Sequence, residues 1–490
     1  MPDLNTKTKT AHIWPVILIA FAFYGFFAFF DGAVIGADTP TYINMDLSRE
    51  PFYPMFLAFH RVVFGEERYL FICVCLQSIL AAAATCSLVL YLRRTFSLKP
   101  YAVYLSLLIC LGVSALCRFA AGRASMYSNS ILSEGICVAG FLLFFRYLLD
   151  YILSGKKSML IASAFVSLIL ISTRKQMYLT LILLVVGCVV AFVRRKSDRR
   201  ITDSPTTDRQ EGTEPVRKPG IFTGLVLPVV IVAASVLLLN HGIESIYHMR
   251  VNGEAVRHFN DNRFMATVVF YTAEREYAEA IEDPGIRALF EEIYDVCDSE
   301  GSMMHDAPDG LFALGDHFAE HYDMIQIDHM WEMIEQYAHA SSGDNAVLQA
   351  QITDEITGAI IKSVRPLEYG RIAKLWIADY VQGLANTTAR ASGILYKVGL
   401  FMWLIYIAIL IVRCIRTRVD DISVLGIMTL VSSLLNIAIV SSVIFCQTRY
   451  MIYNMPLFYI SMLLMLTVRN TDVRTNGVIP GNSTEGEQHE

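Results

Sequence analysis

Directly after an apolar run over 13–30, one short stretch offers Asp31, Asp38, Asp46, Arg49, Tyr53, His60 and Arg61. Ionisable groups at a membrane edge are costly to hold, so they point first to function. A loop leaving a membrane is polar in any case. That accounts less well for an acid followed four residues on by a tyrosine, and then by Arg49-Glu-Pro51-Phe-Tyr53-Pro54. Further charges stand beside apolar runs later in the chain: Arg118 and Arg123, Glu134, Arg174 and Lys175, and Arg449. A guanidinium presents a planar fork of donors that matches phosphate oxygens, while an ammonium acts as a compact charge. Snorkelling to lipid headgroups explains any one of these residues about as well. Three such turns together with an acid-rich loop point to one site that grips an anionic group and holds carboxylates beside it.

The elements that must position these residues follow from composition. The chain has 490 residues, 54% hydrophobic and 18% charged, and its apolar residues fall in runs of about 20, long enough to cross a hydrocarbon core. This predicts an all-α polytopic membrane protein with ten transmembrane helices, over 13–30, 69–92, 101–118, 130–151, 158–172, 176–193, 221–240, 394–413, 422–446 and 450–468. No small-residue cleavage site follows the first run, which reads as a retained helix. Most of the ten cysteines lie inside apolar runs and Cys297 stands apart, which argues against a disulfide scaffold.

Orientation follows from the loops. With the N-terminus inside, Arg93, Arg94, Lys99, Lys156, Lys157, the run from Arg194 to Lys218, Arg413, Arg416, Arg418, Arg469 and Arg474 all fall on the inner face. That is what the positive-inside rule requires. The expectation is a multi-pass plasma-membrane protein with both termini cytoplasmic. Arg118, Arg123, Arg174, Lys175 and Arg449 then face outside, where the rule disfavours them. The expected division is a transmembrane module over 1–193 with its first outer loop at 31–68 and a flexible cytoplasmic linker over 194–219. A seventh span over 220–240, an outer domain over 241–393, C-terminal helices over 394–469 and a disordered tail over 470–490 follow. The outer domain reads as mostly helical, with amphipathic helices over 273–296, 316–340 and 345–361. Glycine-rich phosphate loops are absent, which disfavours a cytosolic nucleotide engine, and no nucleic-acid partner is implied.

A sugar carried on a polyprenyl phosphate suits such a site. Its tail stays in the bilayer while sugar and phosphate reach water. Arginines at the rim would stabilise the departing phosphate, and one carboxylate would take the proton of the attacking hydroxyl. A glycosidase needs two carboxylates flanking its bond; an activated phosphate leaves without protonation, so one base suffices.

Asp38-Thr-Pro-Thr-Tyr42 resembles the acid-x-x-x-Tyr motif in the first outer loop of GT-C membrane glycosyltransferases, the group of protein O-mannosyltransferases and aminoarabinose transferases. Arg49-Glu-Pro51-Phe-Tyr53-Pro54 is similar to the Arg-Pro-Pro-x-Tyr-Pro that follows in bacterial members. Glu134, Arg174 and Arg449-Tyr450 are weaker echoes, and the large outer segment sits where that family places its variable soluble region. The chain departs from the pattern at Thr39, where many mannosyltransferases have a second acid, and in having fewer spans. The resemblance implies an inverting transfer of sugar from a polyprenyl-phosphate donor to a glycan, lipid or protein acceptor in the cell envelope. Asp38 would be the base or would position the acceptor, with Asp31 the runner-up. Arg49, Tyr53 and Tyr42 would shape the sugar pocket; Arg174, Lys175, Arg449, Arg118, Arg123 and Glu134 would serve substrate binding. Pro51, Tyr53 and Pro54 fit a second role, fixing a tight return of the chain into the second span.

The outer histidines His305, His317, His321, His329 and His339 lie among aspartates. His317 and His321 share a helix face and could bind a metal with Asp316 or Glu320, although surface histidines are more often plain polar residues. No metal site is assigned and a divalent metal ion stays open. Asn386-Thr-Thr and Asn482-Ser-Thr fit the glycosylation sequon. Two rivals remain: a polysaccharide polymerase or ligase acting on lipid-pyrophosphate-linked glycans through an outer-loop histidine or arginine, and a lipid or polysaccharide transporter. The absence of an inverted repeat disfavours the transporter.

Overall fold

Each of the ten apolar runs is helical over most of its described residues, because a backbone removed from water must satisfy its own N–H and C=O groups within the segment. The computed structural model describes residues 13–120, 125–202, 221, 225–253, 262–389, 393–417 and 419–468. Arg123, Arg418, Arg469, Arg474, linker positions 203–219, Gly220 and the tail 470–490 with its Asn482 sequon lie outside the described residues. The N-terminal half holds α1 Ile13–Asp31, α2 Thr39–Ile43, α3 Phe52–Phe64, α4 Tyr69–Phe96, α5 Pro100–Ala120, α6 Glu134–Ser154, α7 Lys157–Ile171, α8 Tyr178–Thr202 and α9 Leu227–Asn252. The soluble segment adds α10 Asn262–Thr272, α11 Pro284–Ser299, α12 Leu311–Asp323, α13 Glu332–Ser342, α14 Ala346–Val364 and α15 Tyr369–Thr388. The chain continues with α16 Gly393–Thr417, α17 Asp421–Ser441, α18 Thr448–Met451 and α19 Met455–Thr467. Among the described residues, β-pairing is limited to one bridge between Val34 and Ser130.

Seven of these helices are long and apolar enough to cross a membrane: α1, α4, α6, α8, α9, α16 and α17. The chain is therefore an all-α polytopic membrane protein. Three of the ten expected spans are shorter apolar helices over Pro100–Leu116, Lys157–Ile171 and Met455–Thr467. The last is short because the expected span 450–468 is divided by a turn, with Pro at the start of α19, where a missing N–H costs nothing. The bilayer-facing sides are plain. Trp14, Leu18, Phe29 and Phe30 of α1, Leu238 and Ile246 of α9, and Ile394, Leu404 and Ile415 of α16 are exposed apolar residues. Where helices meet, small residues let backbones approach: a Cβ on Gly140 would lie 2.7 Å from Leu170 Cδ2, and one on Gly187 2.6 Å from Leu148 Cδ1.

Three expectations need correction. Pro51, Tyr53 and Pro54 do not lead straight into the second span; they open a separate amphipathic helix, α3, ended by Gly65 at φ 76°. It exposes Met55, Phe59, Val62 and Val63 and buries Tyr53, Leu57 and His60, the pattern of a helix lying along an interface. The expected helix 273–296 is split, because Pro284 starts α11 and Asp283 caps it, accepting from Gly285 N (2.8 Å) and Ile286 N (3.0 Å). The expected helix 316–340 runs through a π-helical segment, Met324–Trp331, between α12 and α13. The third, 345–361, is α14, capped by Asn345. The outer helices share a core of Phe270, Tyr271, Phe290, Phe318 and Ile360, against which Ile444 and Phe445 of the membrane part pack.

An N-cap carboxylate is worth about 1 kcal/mol. Asp283→Ala is expected to lower outer-domain stability by that amount, seen as a lower unfolding midpoint, with membrane-part melting unchanged.

Candidate active site

The first outer loop is fastened to the second before it carries any charge to a site. Val34 N donates to Asn129 O (3.0 Å) and Ile131 N to Val34 O (3.0 Å). Asn129 Nδ2 donates to Phe27 O at 2.8 Å, and Thr39 Oγ1 to Ile131 O at 3.0 Å. From below, Gln77 of α4 donates to Ser128 O (3.0 Å) and Ser130 O (3.1 Å) while accepting from Tyr53 Oη (2.8 Å). Gly135 permits this, since a Cβ there would meet the Gln77 amide at 2.6 Å. Tyr53 is fully buried and packs edge-on against Tyr42 at 5.0 Å. It supports the floor of the loop from beneath.

On this floor five charged side chains from four parts of the chain meet. Asp38 sits at the N-cap position of α2 but makes no capping bond. Its carboxylate is taken instead by Arg49 Nη2 (3.1 Å) and Arg449 Nη2 (2.9 Å). Glu134, the first residue of α6 and fully buried, accepts from Arg174 Nη1 at 2.8 Å and from Arg449 Nε. Arg449 thus joins both acids. Ser133 Oγ accepts from Arg174 Nη1 and from Tyr42 Oη, each at 3.1 Å. Arg49 donates to Thr41 Oγ1 (2.8 Å) and lies 4.5 Å over the Tyr42 ring. Arg174 lies 5.2 Å from the Tyr450 ring centroid. Gln176 holds the turn after Arg174, donating to Asn436 Oδ1 (2.8 Å) and Tyr450 O (2.9 Å).

Among these five, three guanidiniums stand against two carboxylates, with Glu50 a further acid beside Arg49 and Arg174. Burial works against the Asp38 carboxylate, but Arg449 and Arg49 outweigh it and hold its pKa below the usual carboxylate range. Burial likewise opposes the charged form of Arg449, but Glu134 and Tyr450 together outweigh it, so its pKa is raised. Tyr42 is pushed up to about 12, chiefly by burial, so its hydroxyl serves as a neutral donor.

The other sequence-derived candidates divide. Asp31 and Arg118 pair with each other, and Arg118 lies over the rings of Phe27 (5.3 Å) and Phe30 (5.9 Å). Neither has a hydrogen bond or ion pair to the cluster among the described residues. Lys175 has Glu50, Glu244 and Asp354 as its charged neighbours. The outer domain sends Arg263 towards the site. It lies 4.4 Å over the Trp331 ring and counts Arg49 and Asp38 among its charged neighbours. His317 and His321 are not arranged as a metal pair: His317 uses Nδ1 with Tyr271 Oη (3.0 Å) and Nε2 with Gly301 O (3.2 Å). Asp298, His305 and Asp306 are close enough to share an ion, on the exposed surface of the outer domain.

Sequence reasoning missed Thr41, Ser133, Gln77, Gln176 and Asn436. Gln77 and Asn436 had a signal: each is an amide isolated within an apolar run, where an unpaired polar group is expensive. Ser133 and Thr41 had none beyond their neighbours.

Removing one partner of a buried ion pair leaves an uncompensated charge and costs about 3–5 kcal/mol. Glu134→Gln is therefore expected to lower the melting midpoint of detergent-purified protein far more than Glu66→Gln, which breaks the exposed Arg61–Glu66 pair. The lowered Asp38 pKa sets a second expectation. An unfolded Asp titrates near 3.9, so the contribution of Asp38 to stability is present above that value and is lost as pH falls through its lower folded value. The gap in melting temperature between the wild type and Asp38→Asn is expected to hold from pH 7 to pH 5 and to close in stronger acid.

No protein-family model and no curated protein sequence matches the chain. Among solved structures, the chain is similar to the crystal structure of ArnT from Cupriavidus metallidurans bound to undecaprenyl phosphate, at 10% identity and a TM-score of 0.30, over 93% of this chain and 77% of that one.

Proposed function

We propose that the chain is an integral membrane glycosyltransferase of GT-C type, which transfers a sugar from a polyprenyl-phosphate donor to an acceptor hydroxyl on the extracytoplasmic face, with inversion at the anomeric carbon. The observation that carries this reading is the junction of Asp38 and Glu134 through Arg449, side chains 411 and 315 residues apart in sequence. A base and an anion grip stand within one hydrogen-bonded unit.

The chemistry follows from that unit. The donor phosphate competes with the two carboxylates for Arg449, Arg174 and Arg49. As phosphate draws Arg449 and Arg49 towards itself, Asp38 is released to accept the acceptor's O–H proton. The acceptor oxygen bonds to the anomeric carbon, the bond from that carbon to the phosphate oxygen breaks, and the electron pair leaves on the phosphate. Guanidiniums already aimed at that oxygen stabilise the charge that develops there. The positive-inside rule supports the outward face, since Arg93, Arg94, Lys156 and Arg194 lie at the other ends of these helices. Both termini are then cytoplasmic.

The polymerase reading would give the chemistry to an outer-loop histidine or arginine; both ring nitrogens of His317 are engaged inside its own domain, while Arg263 counts Arg49 and Asp38 among its charged neighbours. Loss of a general base costs about 10²–10⁴-fold in rate. Asp38→Asn is expected to show that loss in transfer from polyprenyl-phosphate sugars to envelope acceptors, while His317→Ala stays within about threefold, the scale of one altered hydrogen bond. A folded Asp38→Asn protein with full turnover rules the reading out.

A further inference from the structure

Arg449 lies on α18, directly after an irregular turn from α17, and two side chains of α15 hold that turn. Asp379 is 1% exposed, and its Oδ1 accepts from Cys446 N at 2.7 Å. Its Oδ2 is buried without a hydrogen-bond partner. Seven residues on, and on the same helix face, Asn386 Nδ2 donates to Cys446 O (2.5 Å) while Oδ1 accepts from Thr448 Oγ1 (2.9 Å). Between them Gly383 leaves room for the turn: a Cβ there would lie 2.5 Å from Ile437 Cγ2 and 3.0 Å from Cys446 Sγ. The Cys446 peptide is therefore gripped at both its N–H and its C=O, three residues before Arg449. A half-paired carboxylate is expensive to bury where an apolar side chain of similar size would cost less. Such a residue marks a place where position matters more than stability.

We infer that Asp379 and Asn386 are positioning residues that clamp the 446–448 turn from α15, so that the Arg449 guanidinium is held against Glu134 and Asp38. The clamp gives the outer segment a share in the site without touching substrate, and its catalytic meaning rests on the function proposed above. It also gives the Asn386-Thr-Thr sequon a different role. The Asn386 amide is buried and bonded at both ends, and Thr388, which completes the sequon, is 2% exposed. The motif is a structural latch and not a glycan acceptor.

Two readouts test the clamp. Hydrogen exchange at the amides of 446–450 reads the turn itself, and affinity for undecaprenyl monophosphate in detergent reads Arg449. One hydrogen bond is worth up to about tenfold in an equilibrium. Asp379→Ala is expected to speed exchange of those amides and to weaken binding by about that factor. Made in an Arg449→Lys background, the same change is expected to weaken binding less than about twofold, because coupled residues are not additive. Asp379→Asn retains an acceptor for Cys446 N and is expected to recover most of the loss. Equal weakening in both backgrounds, or unaltered exchange at 446–450, overturns the inference. If Asp379→Ala does not fold, Thr448→Val, which removes one hydroxyl donor, carries the same comparison with a smaller effect of about threefold. Wild-type protein that does not bind undecaprenyl monophosphate overturns the functional reading instead, and the exchange measurement then decides the clamp alone.

Discussion

A carboxylate with no exposed surface at the first residue of a membrane helix is the constraint that organises this molecule. Glu134 lies in a medium where a lone charge is prohibitively expensive, and two guanidiniums compensate it, Arg174 and Arg449. Neither comes from a neighbouring helical turn. Arg174 stands at the join of α7 and α8, and Arg449 on α18. For the three side chains to meet, α6, α8 and the α17–α18 turn must end at one level and face one another. The close approaches at Gly140 and Gly187 and the amide bridge from Gln176 to Asn436 bring that about. Packing alone would tolerate small slips of one helix on another; a buried ion cluster does not.

The cluster's guanidiniums then bear on what it can receive. Three of them stand against Asp38 and Glu134, with Glu50 a further acid beside Arg49 and Arg174, and Arg263 stands nearby on the outer domain with its Nε buried and unpaired. On the function proposed above, an incoming phosphate needs no new cation brought from solvent, only a share of those that the cluster's own acids already engage. The ordered donors lose little conformational freedom on binding, which is the advantage of preorganisation.

Much of this was legible in the sequence, for one reason: charge in lipid is rare and costly, so each unexplained arginine or acid marked a candidate. Asp38, Arg49, Glu134, Arg174 and Arg449 stood out on that ground, and the apolar runs gave the helices that carry them. What the sequence withheld was which charges pair. Asp31 and Arg118 looked like members of the same set, yet they satisfy one another at the edge of α1, because pairing across 87 residues leaves no local mark. Tyr53 looked like a binding residue from its motif, but its hydroxyl is spent on Gln77, inside the bundle. Helix α3 was hidden because thirteen residues of mixed polarity match neither a span nor a loop. The split at Pro284 was available from the chain, since proline belongs in the first turn of a helix; the amphipathic pattern on both sides masked it.

The choice of arginine at 449 carries the argument furthest. Nε and Nη2 point along one edge of a rigid plane, and here one meets Glu134 and the other Asp38. A lysine offers a single nitrogen and could compensate one acid at a time. The fork spans two acceptors held apart by two different loops, so it fixes the distance between those loops as it neutralises them. A phosphate presents oxygens at a spacing the same edge can take bidentately. On the function proposed above, the group that joins the two acids is therefore also the group suited to hold the leaving phosphate. Exchanging one partner for the other needs side chains to turn while the backbone around Glu134 stays where the helices put it.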